Sequence, residues 1–269
     1  MAIEPRRAYA DGPYGQTHYR FAGTPDMAAT PLLCMHPSPL SGIVYDQFLL
    51  EIGRDRYALA PDTPGFGGSD APPMLPEISD YAHAMWGFLD SLGIETVDLL
   101  GYHTGSLIAV DMACRQPSRV RRIVMISAPL HDEKLIAEYA PTIDAPPLPF
   151  EAMLSATLDR IRKVGRGMFR DSTDERYWAI TLERMRRYKT TTWGHRAAFR
   201  YDFAGNLPKV EQPILVLNPE DDLFTHSRQA EPLIKNGRIH DLPGWTHGFL
   251  DAHTEETAAL VRGFLDSQE

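Results

Sequence analysis

The stretch VDLLGYHTGSLIAV (residues 97–110) holds a histidine, His103, with a glycine two positions to either side, Gly101 and Gly105. An apolar run leads in and helix-spaced apolar residues lead out, the pattern of a tight strand-to-helix turn. Glycines flank the tip of such a turn because strand and helix pass too close for side chains. A neutral imidazole is both a nucleophile and a general base near neutral pH, so His103 has two kinds of chemistry open to it. Three other segments carry groups that would complement it. CMHPSPLSG (34–42) is a polar turn after an apolar run. Pro37 and Pro39 have no N–H, which leaves the amide of Ser38, with that of Thr104 beside the tip, to stabilise a developing oxyanion. LNPEDDLF (217–224) offers adjacent carboxylates to orient an imidazole; register favours Asp222, with Asp221 in reserve. LPGWTHGFLD (242–251) sets His247 on a loop before the last helical pattern, and the chain order of tip, acid and base singles it out among ten histidines.

Positioning these groups requires a sheet. TPLLCMH (30–36), RYALAPD (56–62), TVDLLGY (96–102), RRIVMIS (121–127), QPILVLN (212–218) and GRIHDLPG (237–244) read as buried strands. Helical patterns such as ISDYAHAMWGFLDSLG, GSLIAVDMACRQP and EETAALVRGFLDS lie between or after them, which implies a doubly wound, mostly parallel sheet covered on both faces. An antiparallel hairpin, RAYADGPYGQTHYRFAG, precedes it. The rhythm breaks over residues 130–207, where a Pro-rich link, APTIDAPPLPF, is followed by helical patterns in FEAMLSATLDRIRKV, DERYWAITLERMRRY and HRAAFRYDFA. This predicts a helical cap inserted into a core made of residues 1–129 and 208–269. Ligands of open α/β sheets sit at the carboxyl ends of the strands, where such a cap would wall the site.

The chain has 269 residues and a formal net charge of −9, which argues against nucleic acid or an anionic membrane surface as partner. Local basic clusters, DRIRKVGRG and ERMRRYK, read as helix faces in water. The two cysteines, Cys34 and Cys114, read as buried thiols. The first residues lack a signal-peptide core and no run reaches membrane-span length, so the expectation is a cytoplasmic protein. GFGGSD is too short for a dinucleotide fingerprint and no metal-ligand spacing appears, so a site without cofactor or metal is expected. A homodimer is compatible with the sequence but not specified by it.

Taken together, these segments resemble the α/β-hydrolase fold superfamily over nearly the whole chain. DTPGFGGSD (62–70) is similar to its Asp-x-Pro-Gly-x-Gly-x-Ser turn, and MHPSPLSG stands where the family carries His-Gly-x-Pro, with Pro37 replacing the glycine. The resemblance puts the family's acid at Asp222 and its base at His247. Its nucleophile, usually serine, falls on His103; Ser106 lies inside the following helix and reads as structural. The resemblance implies hydrolysis of an ester, thioester or lactone of a small, largely apolar molecule, with His36, Tyr102, Trp178 and Phe249 against the substrate. His103 as nucleophile would form an acyl-imidazole. As a base beside His247, it would instead serve lyase-type carbon–carbon cleavage or isomerisation. As a relic, it would leave a ligand-binding protein. Phe150, Met153, Phe169 and Tyr201, with Trp178, supply apolar surface in the cap segment.

Overall fold

A computed structural model describes residues 5–143, 145, 148–165, 169 and 172–267. Its strands are β1 (Arg6–Gly12), β2 (Gly15–Ala22), β3 (Leu32–Met35), β4 (Ala58–Pro61), β5 (Val97–Tyr102), β6 (Val120–Ile126), β7 (Ile214–Pro219) and β8 (Gly237–Leu242). They form one sheet in the order β1-β2-β4-β3-β5-β6-β7-β8. β2 runs antiparallel to β1 and β4, and all the other pairings are parallel. From β3 the chain steps one way to β4 and then returns to lay β5 on the other side. The crevice where ligands bind open α/β sheets therefore lies at the ends of β3 and β5.

The pleat explains how four apolar residues in a row fill two cores. In β3, Leu33 and Met35 face one side while Leu32 and Cys34 face the other; in β5, Leu99 opposes Leu100 and Tyr102. The first face is covered by α2 (Ile78–Ser91) and α3 (Thr104–Arg115), through residues such as Trp86, Phe88, Leu107 and Val110. The second is covered by α1 (Asp46–Ile52) and the C-terminal helix α11 (Thr254–Leu265), through Phe48, Leu49, Val261 and Phe264. Cys34 is buried and Cys114 is half-buried.

Between β6 and β7 the described residues contain helices and no strand: α4 (Glu133–Ile143), α5 (Phe150–Arg160), α6 (Asp174–Met185), α7 (Trp193–Arg200) and α8 (Phe203–Asn206). α4 runs into the segment expected to be a Pro-rich link. Pro141 sits in its last turn, where the helix can end without losing many hydrogen bonds. A single guanidinium ties α6 to the core. Arg176 donates to Asp251 (2.8 Å), to Asp46 (3.2 Å) and to the Ile43 carbonyl (2.7 Å). The short helices α9 (Phe224–Gln229) and α10 (Phe249–Ala252) follow β7 and β8.

Candidate active site

β5 ends at Tyr102 and α3 begins at Thr104, so His103 is the whole turn. Its backbone lies at φ 49° and ψ −108°, a conformation that L-residues adopt only when the surroundings impose it. The flanking glycines permit the turn. A Cβ at Gly105 would lie 2.6 Å from the Met35 carbonyl carbon in β3, and one at Gly101 would run into the Gly105 backbone. Ser106 is a staple: its hydroxyl reaches the carbonyls of Gly101 (3.0 Å), Ile126 (3.3 Å) and Ser127 (2.9 Å). The Asp-x-Pro-Gly-x-Gly-x-Ser turn is also structural, since Asp62 accepts from Gly42 N, Gly68 N and His18 Nδ1, each at 2.8 Å.

The tip points at the turn after β7, where its partner is Asp221. His103 Nε2 lies 2.8 Å from Asp221 Oδ2. That carboxylate is wholly buried and further fixed by the Ser127 hydroxyl (2.9 Å) and the Leu223 amide (2.8 Å). Asp222, expected from the sequence as the acid paired with His247, is 68% exposed and holds that ring, with Nε2 to Oδ1 at 2.9 Å. That the neighbouring carboxylate takes the tip has a simple cause. Asp221 turns inward to accept the Leu223 N–H, so the next side chain in the turn leaves in another direction. The site thus holds two imidazole–carboxylate pairs, with the rings of His103 and His247 at 5.4 Å between centroids and 73° between planes. The Tyr102 hydroxyl donates to the His247 carbonyl (3.1 Å), fixing the second ring's loop to the residue before the tip.

Burial alone would lower the proton affinity of His103, but the Asp221 carboxylate and its hydrogen bond outweigh it and raise the pKa. Burial would likewise raise the acids. Contacts with His103 and His247 and the local amides hold both Asp221 and Asp222 below the usual carboxylate range. Around the pairs stand histidines not singled out beforehand. His131 stacks on Phe199 with centroids 4.2 Å apart, and desolvation, then His226, His103 and His195, push its pKa down to about 4. Phe169 is buried with its ring 6.4 Å from that of His247.

Of the four side chains expected against substrate, three are buried in packing and Trp178 is exposed, as is Phe150 of the same helical stretch. His36 is buried, its Nε2 accepting from the Thr63 amide (2.9 Å), and bridges β3 to the turn after β4. Tyr102 and Phe249 are packed in the second core by the strand pleat and by α10. Trp178 is 65% exposed and Phe150 56% exposed, because each lies on the outward face of its helix. Thr104, next to the tip, is the first residue of α3, and Ser38 lies on the loop after β3, where its hydroxyl packs so close to Gly194 of α7 that a Cβ there would clash.

His103, Asp221, Asp222 and His247 each offer a donor atom, and these four atoms lie within 4.8 Å of one another. They come from three separate loops, so no linear spacing announces them. Ser127, with positive φ (63°), also went unread; a serine ending a strand carries no distinctive signal.

Sheet order, glycine-flanked turn and acid and base loops together define a class, and the family comparison agrees: residues 32–260 match the model of the alpha/beta hydrolase family. The chain belongs to that family. A 2-hydroxymuconate semialdehyde hydrolase from a Pseudomonas species (strain CF600) is 35% identical over 109 residues, covering 38% of this chain and 37% of that protein. A haloalkane dehalogenase 2 from Mycobacterium bovis is 31% identical over 117 residues, covering 43% and 39%. The matches thus span well under half the length of these curated relatives. The enol-lactonase from Burkholderia xenovorans LB400 superposes with a TM-score of 0.81 at 19% identity, over 97% of this chain and 100% of that one, which shows a shared fold.

Proposed function

We propose that this protein is a hydrolase of ester, thioester or lactone bonds in small, largely apolar acyl compounds, and that water attacks the carbonyl directly, governed by the His103–Asp221 and His247–Asp222 pairs. The observation that carries the reading is the grip of Asp221 on His103 Nε2. An imidazole attacks a carbonyl through a free lone pair, and the outer nitrogen, the less crowded of the two, is committed to the carboxylate. The ring is therefore better suited to handling protons than to forming an acyl bond. The amides of Ser38 and Thr104 would receive the oxyanion, and the helices of residues 130–207 would act as the cap that selects the acyl group. The names of the relatives, a semialdehyde hydrolase and a dehalogenase, speak for bond cleavage in small molecules.

The test is turnover of a panel of nitrophenyl esters, acyl thioesters and lactones, with acid-quenched samples taken for intact mass. Turnover without added acyl mass, lost in His103→Ala and Asp221→Asn, is the expected result. An acyl adduct on His103 would replace water attack with covalent catalysis, and no turnover across the panel would remove the hydrolase reading.

A further inference from the structure

We propose that His103, Asp221, Asp222 and His247 together bind one divalent transition-metal cation. The proposal rests on the reading above only in taking this cluster as the working site.

Three observations carry it. The first is convergence. Donors around one such cation sit about 2.0–2.2 Å from it, so two on opposite sides are separated by up to roughly 4.4 Å. Four atoms within 4.8 Å of one another exceed that ceiling by a few tenths of an ångström at most, and the roughly 3.5 Å spacing of a tetrahedral site by about 1 Å, which side-chain rotation can take up. The second is which nitrogen each ring presents. In a hydrolytic triad the acid holds Nδ1 and leaves Nε2 to face the nucleophile. Here both Nε2 atoms face carboxylates, at 2.8 Å and 2.9 Å, so the outer nitrogens and both acids are gathered in one place. The third is the surrounding support. Ser127 and the Leu223 amide fix Asp221, and the Tyr102 hydroxyl fixes the His247 loop, the outer-shell bracing that orients metal ligands.

The donor set chooses the ion. Two imidazoles with two carboxylates suit zinc, manganese or iron(II), whereas magnesium and calcium take oxygen ligands. The two carboxylates also match the charge of a dication once both rings bind as neutral ligands. With both rings as Nδ1–H tautomers, each Nε2 would turn its lone pair from its carboxylate to the cation, and the cation would take over from the two pairs the activation of water by lowering the pKa of a bound one.

The full chain, stripped with chelator and dialysed, is titrated with Zn2+ and separately Mn2+ by calorimetry, and Co2+ is added to follow its visible d–d bands. One ion per chain is expected, with binding weakened at least about 100-fold in His103→Ala and in Asp222→Asn and the cobalt bands lost in both. Asp222 is largely exposed, so its conservative variant keeps the fold. If neither metal binds the parent, or if both variants bind as the parent does, the proposal is overturned. Turnover by the chelated protein is measured in parallel. Persisting hydrolysis with no metal binding would sink the cation and leave the hydrolase reading standing.

Discussion

Replacing Gly105 by alanine tests whether the turn at His103 exists because the strand and helix backbones touch. An alanine Cβ would stand 2.6 Å from the Met35 carbonyl carbon, and closer still to its oxygen. Carbon atoms rest about 3.5–4.0 Å apart, so β3 and α3 must separate by about 1 Å. Both are backbone in the middle of a packed core, with no flexible side chain to yield. The expected cost is about 3 kcal/mol or more, above the ordinary range for an extra methyl. For a chain of this size that lowers Tm by roughly 6–12 °C. Gly263 is the matched control: it lies exposed in α11 with nothing within 4 Å of its would-be Cβ. The same change there should gain about 0.5–1 kcal/mol from helix propensity. Urea unfolding of the two variants and the parent, with the hydrolase assay on each, gives the answer. Opposite signs are expected, with turnover lost only in Gly105→Ala. If Gly105→Ala matches the parent in midpoint and turnover, the close approach does not build the turn and the account of the site fails.

Three more outcomes follow from the geometry. His103→Gly should be more stable than His103→Ala by about 1 kcal/mol in chemical unfolding, because both delete the ring but only glycine accepts φ 49° without strain; equal stability would mean the turn stores none. The folded His131 ring titrates near 4 while the unfolded ring titrates near 6.5, so the unfolded chain binds more protons between these values. Stability should therefore fall as pH drops through that window, by at most about 3 kcal/mol and less because water partly reaches the ring. His131→Phe, which keeps the stack on Phe199, should flatten the urea midpoint's pH dependence, and an unchanged slope would refute the assignment. Arg176→Met strands Asp251, leaves Asp46 with Arg20 alone, and should cost about 3 kcal/mol, with faster proteolysis within residues 130–207; resistance equal to the parent's would show that the tie carries no load.

The central strands β3, β4, β5 and β7 were legible because each is a short, fully buried run, and the elbow because Gly101 and Gly105 stand where only glycine fits; β8, expected to be buried as well, is an edge strand whose residues are mostly not buried. The pairing of Asp222 with His247 was legible from their order in the chain; the capture of His103 by Asp221 was not. Asp221 and Asp222 are neighbours of one type, and which one turns inward depends on the Leu223 amide and the Ser127 hydroxyl, contacts set by the tertiary fold. Side-chain burial was harder still to read. His36 looks like a loop imidazole in sequence, yet Thr63, 27 residues away, claims its ring. Trp178 and Phe150 are apolar residues at helical spacing, and periodicity does not say which side of a helix a larger body covers. The helix over Glu133–Ile143 was hidden by a proline that falls harmlessly near its end.

The hydrogen bond from Tyr102 to the His247 carbonyl couples the two rings, since Tyr102 is covalently joined to the tip. Any shift of the elbow carries the second loop with it, so the gap between the imidazoles does not widen for a bulkier guest. Accommodation must come from the helices between β6 and β7. Mutational drift can remodel that stretch while the spacing of the two rings beside the sheet stays as it is.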